Sequence, residues 1–222
     1  IFSEIKPIID FGWMMTVGLL VSLSVTFTLL PAVLNILSKE NKNYKDEKKS
    51  KITTFLGKIA KFYIDSLKPL TVGITGTNGK TTTTNLIGSM LNKFQSTLIS
   101  FGNYNNQIGL PLSILKMDDS HKICVLEMGA SKREDIKYLT SIANPKIVMI
   151  LNVSPAHLEG FKSLENILLT KEEILCDQGY EKTVILNKDD INFSRWKEIS
   201  KSHHIKTISK NQKADYFIKN IK

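Results

Sequence analysis

Residues 73–84 read Gly-Ile-Thr-Gly-Thr-Asn-Gly-Lys-Thr-Thr-Thr-Thr, between an apolar run from Leu70 to Ile74 and a helix-like stretch that reaches Leu91. Strand, glycine turn, Lys-Thr and helix, in that order, is the arrangement that cradles nucleotide phosphates in a layered α/β fold. Gly76 and Gly79 let backbone N–H groups approach phosphate oxygens, and the helix N-terminus adds favourable partial charge. Lys80 is long enough to reach the β- and γ-phosphates, and Thr81 can set its hydroxyl on Mg²⁺. The run Thr75-Gly76-Thr77-Asn78-Gly79-Lys80-Thr81-Thr82 therefore holds the candidate nucleotide contacts. The strict G-x-x-x-x-G-K-[ST] spacing is not met, because Ile74 stands where the first Gly belongs and Gly76 is offered instead. A glycine turn before an ordinary helix is the bland alternative, and the flanking elements argue against it.

Beyond Leu70, apolar runs at 70–75, 97–101, 122–128, 146–151, 182–186 and 205–208 alternate with helical patterns at 81–94, 132–142, 164–177 and 191–199. That alternation predicts an α/β fold, a mostly parallel sheet with helices on both faces. Ligand residues are then expected beyond the C-terminal strand ends.

The first seventy residues have a different character. Phe11 to Ser38 is 28 positions without a charge, where a bilayer span needs about 20. Lysines 39, 42, 45, 48, 49 and 51 crowd its C-terminal flank, which the positive-inside rule makes cytoplasmic. The expected organisation is a transmembrane segment over 1–38, a basic linker and amphipathic helix over 39–69, and a nucleotide-binding domain over 70–222. This puts the chain in the plasma membrane, with the ATPase domain cytoplasmic, or wholly in the cytoplasm if the first segment is not native to it. The segment Lys6-Pro7 through Asp10-Phe11-Gly12-Trp13 to Leu29-Leu30-Pro31-Ala32-Val33-Leu34 resembles the last transmembrane helix of an RND-type (MMPL-like) exporter half. In the linker region Ile52, Phe55, Leu56, Ile59, Phe62 and Tyr63 recur at helical spacing, with Lys51, Lys58 and Lys61 opposite. Such a helix either lies on the cytoplasmic leaflet or packs on the following domain.

The net charge is +9, but it is concentrated: residues 39–69 hold nine basic and four acidic side chains. The remaining stretch from 70 carries the same excess over about five times the length, so the charge points to a membrane surface and not to nucleic acid. Cys124 and Cys176 have no metal-site spacing, and Cys124 in its apolar run reads as a buried core thiol.

Several polar residues fall at the expected strand ends. Glu127 closes the run Ile123-Cys124-Val125-Leu126, as a Mg²⁺ ligand or a helix cap. His157 follows the strand Ile147–Leu151 in Asn-Val-Ser-Pro-Ala-His-Leu-Glu-Gly-Phe, where a lone His is usually a surface or capping residue. Lys171, in Thr-Lys-Glu-Glu-Ile-Leu, reads in isolation as a solvated helical lysine. Asn187-Lys188-Asp189-Asp190 is turn-like. Asn103, Asn105 and Asn106 lie in the amide-rich loop Gly-Asn-Tyr-Asn-Asn-Gln-Ile-Gly-Leu-Pro, suited to a polar substrate.

Taken in order, Thr-Gly-Thr-Asn-Gly-Lys-Thr, the amide-rich stretch, Leu-Glu-Met-Gly, the His157 stretch, Lys-Glu-Glu-Ile-Leu and Asn-Lys-Asp-Asp resemble the central ATPase domain of the Mur ligase family. The amide-rich stretch is similar to that of the member that joins D-alanyl-D-alanine to UDP-N-acetylmuramoyl-tripeptide. The resemblance implies an ATP-dependent acid–amino-acid ligase of peptidoglycan synthesis with two Mg²⁺ ions. Lys80 and Thr81 would hold phosphates and one Mg²⁺. Glu127 and His157 would help hold the metals, and Lys171 would be carbamylated and ligate the second ion. Lys80, His157 and Lys171 are thus the implied catalytic residues. Asn187 and Asp190 would lie by the adenosine, and Asn103, Asn105 and Asn106 would face the muramoyl-peptide.

Family members also have an N-terminal domain for the UDP moiety and a C-terminal domain that brings the amine. Here a membrane segment stands before the central domain, and the sequence runs from Ile1 to Lys222. The expectation is a fragment that binds ATP weakly and does not ligate. Two alternatives are a piece of a membrane exporter joined to the ligase domain and a non-catalytic nucleotide-binding module.

Overall fold

A computed structural model describes residues 51–154, 161, 163–176 and 179–217, together with Thr16 and Leu19. The chain divides into two units, Ile1–Ile52 and Thr53–Lys222, and the second carries the fold described below. The expected span over 11–38 lies outside the described residues apart from Thr16 and Leu19, which are helical. Among the described residues, no helix is long and apolar enough to cross a membrane.

Seven strands form one sheet: β1 (Leu70–Thr75), β2 (Thr97–Ile99), β3 (Ile123–Glu127), β4 (Ile147–Ile150), β5 (Thr183–Asn187), β6 (His204–Ser209) and β7 (Tyr216–Phe217). Their order is β2-β3-β1-β4-β5-β6-β7, and every pairing among them is parallel. The helices whose bounds lie among the described residues are α1 over 51–67, α2 (Lys80–Leu91), α3 (Gly109–Ile114), α4 (Asp135–Ala143), α5 (Leu164–Glu172) and α6 (Phe193–Ile199).

The strands read as continuous apolar runs because both sheet faces are covered, as a parallel sheet requires. On one face Val72, Ile74, Ile123 and Val125 pack beneath Ile87 and Leu91 of α2. The alternate residues Cys124, Leu126, Val148, Ile150, Val184 and Leu186 join a larger core on the other face, with Ile64, Leu110, Leu139, Leu168 and Trp196 from five helices. Cys124 is fully buried there, and burial pushes its thiol pKa far up. The expected buried core thiol is what the structure contains.

Helix α1 packs through small residues and leaves several of the apolar side chains read from the sequence exposed. Its buried residues are Thr53, Gly57, Ala60 and Ile64. The large side chains of Ile52, Phe55, Ile59 and Phe62 are exposed, Phe62 to 78%. The small residues explain this, since they allow close approach to α4: a Cβ on Gly57 would meet Tyr138 Oη at 2.3 Å. Tyr138 Oη also donates to the carbonyl of Thr53 at 3.0 Å.

Boundaries differ in smaller ways. Residues 109–111, read as the end of a loop, begin the short helix α3, and β7 has no counterpart among the expected strands. Helix α5 ends at Glu172 and does not continue to 177.

Because β1 has β3 on one side and β4 on the other, the chain leaves β1 at the point where strand order reverses. The crevice beyond the carboxyl ends of β1, β3 and β4 is where an open parallel sheet binds ligands.

Candidate nucleotide site

The glycine loop occupies that crevice. Gly79 has φ 78°, the left-handed conformation that glycine adopts without strain, and it leads directly into α2. Gly76 sits where a Cβ would come within 3.0 Å of the Leu151 side chain. The loop is zipped to the segment after β4. Thr77 N–H donates to the Asn152 carbonyl at 2.9 Å. Asn78 and Asn152 exchange a pair of bonds: Asn78 N–H to Asn152 Oδ1 at 3.0 Å and Asn152 Nδ2 to Asn78 O at 3.1 Å. Thr77 Oγ1 accepts from Ser154 N–H at 3.0 Å. Thr75 is buried and its hydroxyl donates to the Met128 carbonyl at 2.8 Å, fixing the start of the loop to the end of β3. Lys80 folds back, its Nζ donating to the Thr77 carbonyl at 2.9 Å.

Glu127 is only 2% exposed at the end of β3. Its Oε2 accepts from Thr81 Oγ1 at 2.7 Å, and its Oε1 accepts from Asn105 Nδ2 at 2.6 Å. Its own N–H donates to Ser100 Oγ at 3.0 Å. The structure thus joins Thr81 and Glu127, which are 46 positions apart in sequence.

Lys171, near the end of α5, is 4% exposed and not solvated. Burial holds its pKa down at about 8, against 10.5 for an ordinary lysine; the nearby Lys80 ammonium adds to the depression, and Asp135, Glu173 and Glu127 oppose it. His157 lies outside the described residues.

The remaining predicted residues are placed as follows. Asn103 is exposed. Asn106 Oδ1 accepts from the N–H groups of Ile108 and Gly109 at 3.0 and 2.9 Å and so satisfies donors at the start of α3. Asn187 Oδ1 accepts from Asp189 N–H at 3.0 Å, and Asp190 Oδ1 from Asn192 N–H at 2.8 Å. Both lie at the carboxyl end of β5, beside β4. Thr82 lies in the first turn of α2 and is exposed.

Sequence reasoning missed a layer of supporting residues. Asp135 is buried and accepts from Ser131 N–H, Ser131 Oγ, Lys132 N–H and Gln107 Nε2. Glu173 accepts from the N–H groups of Glu134 and Lys137 at 2.7 and 3.0 Å, at the start of α4. Asn152 and Ser154 clamp the glycine loop. Asn152 and Ser154 fall in the His157 stretch already singled out, but their bonds reach across 74 and 77 positions; Asp135 and Glu173 gain their roles from burial.

The family described as the Mur ligase middle domain matches residues 74–222, more than half of the chain. The chain belongs to the Mur ligase family. Its relatives include the UDP-N-acetylmuramoyl-tripeptide--D-alanyl-D-alanine ligase of Buchnera aphidicola from Acyrthosiphon pisum, 38% identical over 75% of this chain and 37% of that protein. The ligase of the same name from Haemophilus influenzae is 34% identical over 75% of this chain and 36% of its own length. Among solved structures, MurF from Acinetobacter baumannii superposes with a TM-score of 0.72 at 30% identity, covering 77% of this chain and 37% of that one. MurF ligase from Thermotoga maritima in complex with ADP gives 0.66 at 34% identity, over 72% and 37%. This Mur ligase chain therefore spans little more than a third of the length of the relatives it matches. The exporter resemblance over residues 1–38 finds no support among these matches.

Proposed function

We propose that residues 70–222 form the ATP-binding central domain of a ligase that joins D-alanyl-D-alanine to UDP-N-acetylmuramoyl-tripeptide through an acyl phosphate. The observation that carries this reading is the Thr81–Glu127 hydrogen bond beside the glycine loop, with the buried Lys171 within the electrostatic influence of Lys80 and Glu127. The relatives that share this stretch bear that ligase's name, and one solved relative holds ADP.

The donor set fits Mg²⁺. Thr81 and Glu127 offer hard oxygens 2.7 Å apart, and Mg²⁺ characteristically takes one or two carboxylates and completes its shell with substrate phosphates and water. Thr81 and Glu127 would hold one ion, and His157 and a carbamylated Lys171 a second. When bound, Mg²⁺ neutralises charge on the phosphates during phosphoryl transfer. Carbamylation needs a neutral amine: the Lys171 nitrogen bonds to CO₂ carbon and releases one proton, giving an anionic carbamate. At pH 7.5 an amine of pKa about 8 is about one quarter neutral, whereas one of 10.5 is about 0.1% neutral.

The loop N–H groups and Lys80 bind the phosphates, with Lys80 exchanging the Thr77 carbonyl for phosphate oxygen. The tripeptide carboxylate attacks the γ-phosphorus, the bond to the β-phosphate oxygen breaks, and ADP leaves. The dipeptide amine then attacks the acyl carbon, phosphate departs, and the ammonium proton is lost. ATP is needed because a carboxylate oxygen is a poor leaving group. Asn187 and Asp190 lie by the adenosine in this reading, and the amide-rich loop, with Asn103 exposed on it, faces the muramoyl-peptide. The site is cytoplasmic, where ATP is available.

The test is a chimera. Residues 70–222 replace the matching segment of the Haemophilus influenzae relative, and amide formation from labelled D-alanyl-D-alanine is measured. Ligation that Lys80→Ala abolishes is expected. A folded chimera that binds ATP but forms no amide, or that prefers another amine, overturns the reading.

A further inference from the structure

We infer that Asn105 is a positioning residue that ties the amide-rich loop to Glu127, so that metal–nucleotide binding and ordering of residues 101–108 are one coupled event. This rests on the reading of Glu127 as a metal ligand given above.

A buried carboxylate with two oxygens has about four acceptor directions. In Glu127, Thr81 takes one on Oε2 and Asn105 takes one on Oε1. The carboxylate is therefore fixed in orientation before any cation arrives, with lone pairs left over for one. The Asn105 contact, at 2.6 Å, is a charge-assisted bond from an amide donor to an anion. An amide suits this place because it donates without bringing a second negative charge beside the ligand.

Asn105 is itself held. Its carbonyl accepts from Gly129 N–H at 2.7 Å, and its own N–H donates to the Asn103 carbonyl at 2.7 Å. Its side-chain amide lies so close to Gly129 that a Cβ there would stand 2.7 Å from Asn105 Oδ1. Glycine at 129 is what lets the loop dock on the end of β3. A second anchor, Gln107 Nε2 to Asp135 Oδ1 at 3.0 Å, holds the loop two residues further on. The segment that carries Asn103 and Tyr104 is thus pinned to the metal-ligand carboxylate on one side and to α4 on the other.

Coupling between two sites is reciprocal. If the cation favours the Glu127 orientation that Asn105 enforces, the bound metal–nucleotide must in turn hold the loop. Partners that orient a metal ligand typically change metal affinity 10–100-fold when removed.

The experiment uses the 222-residue chain as wild type, Asn105→Ala and Asn105→Ser; the serine variant keeps a hydroxyl donor but is too short to reach Glu127. ADP affinity is measured by calorimetry in EDTA and in Mn²⁺, and amide hydrogen exchange is followed over residues 101–109. The expected result is ADP affinity in EDTA unchanged within about twofold, with the Mn²⁺-dependent gain reduced about 10–100-fold in both variants. In the wild type, exchange of 101–108 should slow with Mn²⁺ and ADP but not with ADP in EDTA; that comparison needs no variant. An undiminished Mn²⁺ gain in the variants overturns the inference. So does an equal loss with and without metal, which is the signature of a merely structural role. If the wild type fails to bind ADP at all, the functional reading falls. The tether is then judged on the metal-free protein, where faster exchange of 101–108 in the variants supports it and unchanged exchange overturns it.

Discussion

Replacing Lys171 with Met should stabilise the fold while removing a residue on which the proposed chemistry depends. Lys171 is 4% exposed, and its pKa is held at about 8 against 10.5 in the unfolded chain. Between those values the unfolded chain binds a proton that the folded one does not, so stability rises with pH across the window from about 8 to 10.5. Below pH 8 the penalty for burying the ammonium is present in full. A difference of about 2.5 pH units corresponds to about 3 kcal/mol. Met keeps most of the aliphatic stem and carries no charge. Lys171→Met should therefore gain about 3 kcal/mol at pH 7, a rise in Tm of about 6–12 °C for a domain of this size. The advantage should shrink steadily above pH 8 and vanish near 10.5. The assay is urea unfolding from pH 6 to 10.5 in buffer freed of CO₂, without nucleotide. Bicarbonate should narrow the gap by stabilising only the wild type. A variant less stable than wild type at pH 7, or a difference that does not change with pH, would refute the reasoning.

Other outcomes follow from packing and capping. Gly88→Ala should destabilise by about 1–3 kcal/mol in thermal melts, because the new Cβ would stand 2.4 Å from Ile99 Cγ1 in the contact between α2 and β2. Trp196 is fully buried, and its indole N–H has no partner among the described residues. Trp196→Ala should cost about 3–5 kcal/mol, and Trp196→Phe much less, since no hydrogen bond is lost; equal losses in urea titrations would contradict this. Glu173→Gln should lower stability by about 1–3 kcal/mol, as one oxygen that serves the N–H groups of Glu134 and Lys137 becomes an amide donor. Calorimetric melts at pH 7 would check that loss.

What was legible in the sequence depended on how local its cause was. The sheet strands were visible because burial on both faces writes long apolar runs, and the glycine loop between β1 and α2 was visible because its glycines act within a dozen residues. Helix α3 was hidden by Gly109 and Pro111. It forms because Asn106 supplies an acceptor at its start and because Leu110 and Ile114 are buried. Helix α5 was read too long because Ile174 and Leu175 keep the apolar period. The buried Lys182 instead takes the carbonyls of Ile174 and Cys176, groups that a continuing helix would use itself. The packing side of α1 was not legible because spacing rules weigh large apolar residues, while it is Gly57 that stands against Tyr138 and Ile142 of α4. In the candidate site, Glu127 and Lys171 were singled out only through an ordered set of motifs. The burial that depresses the Lys171 pKa, and the Asn78–Asn152 exchange, are properties of the folded chain alone.

The most direct test of the account is a crystal structure of this chain with ADP and Mn²⁺, with the metal located by its anomalous signal. The account predicts the diphosphate on the N–H groups that open α2, Lys80 turned from Thr77 onto phosphate, and the Mn²⁺ peak against Thr81 Oγ1 and the Glu127 carboxylate. Nucleotide bound away from residues 75–82, or a metal peak that leaves Glu127 bonded only to Thr81 and Asn105, would contradict it.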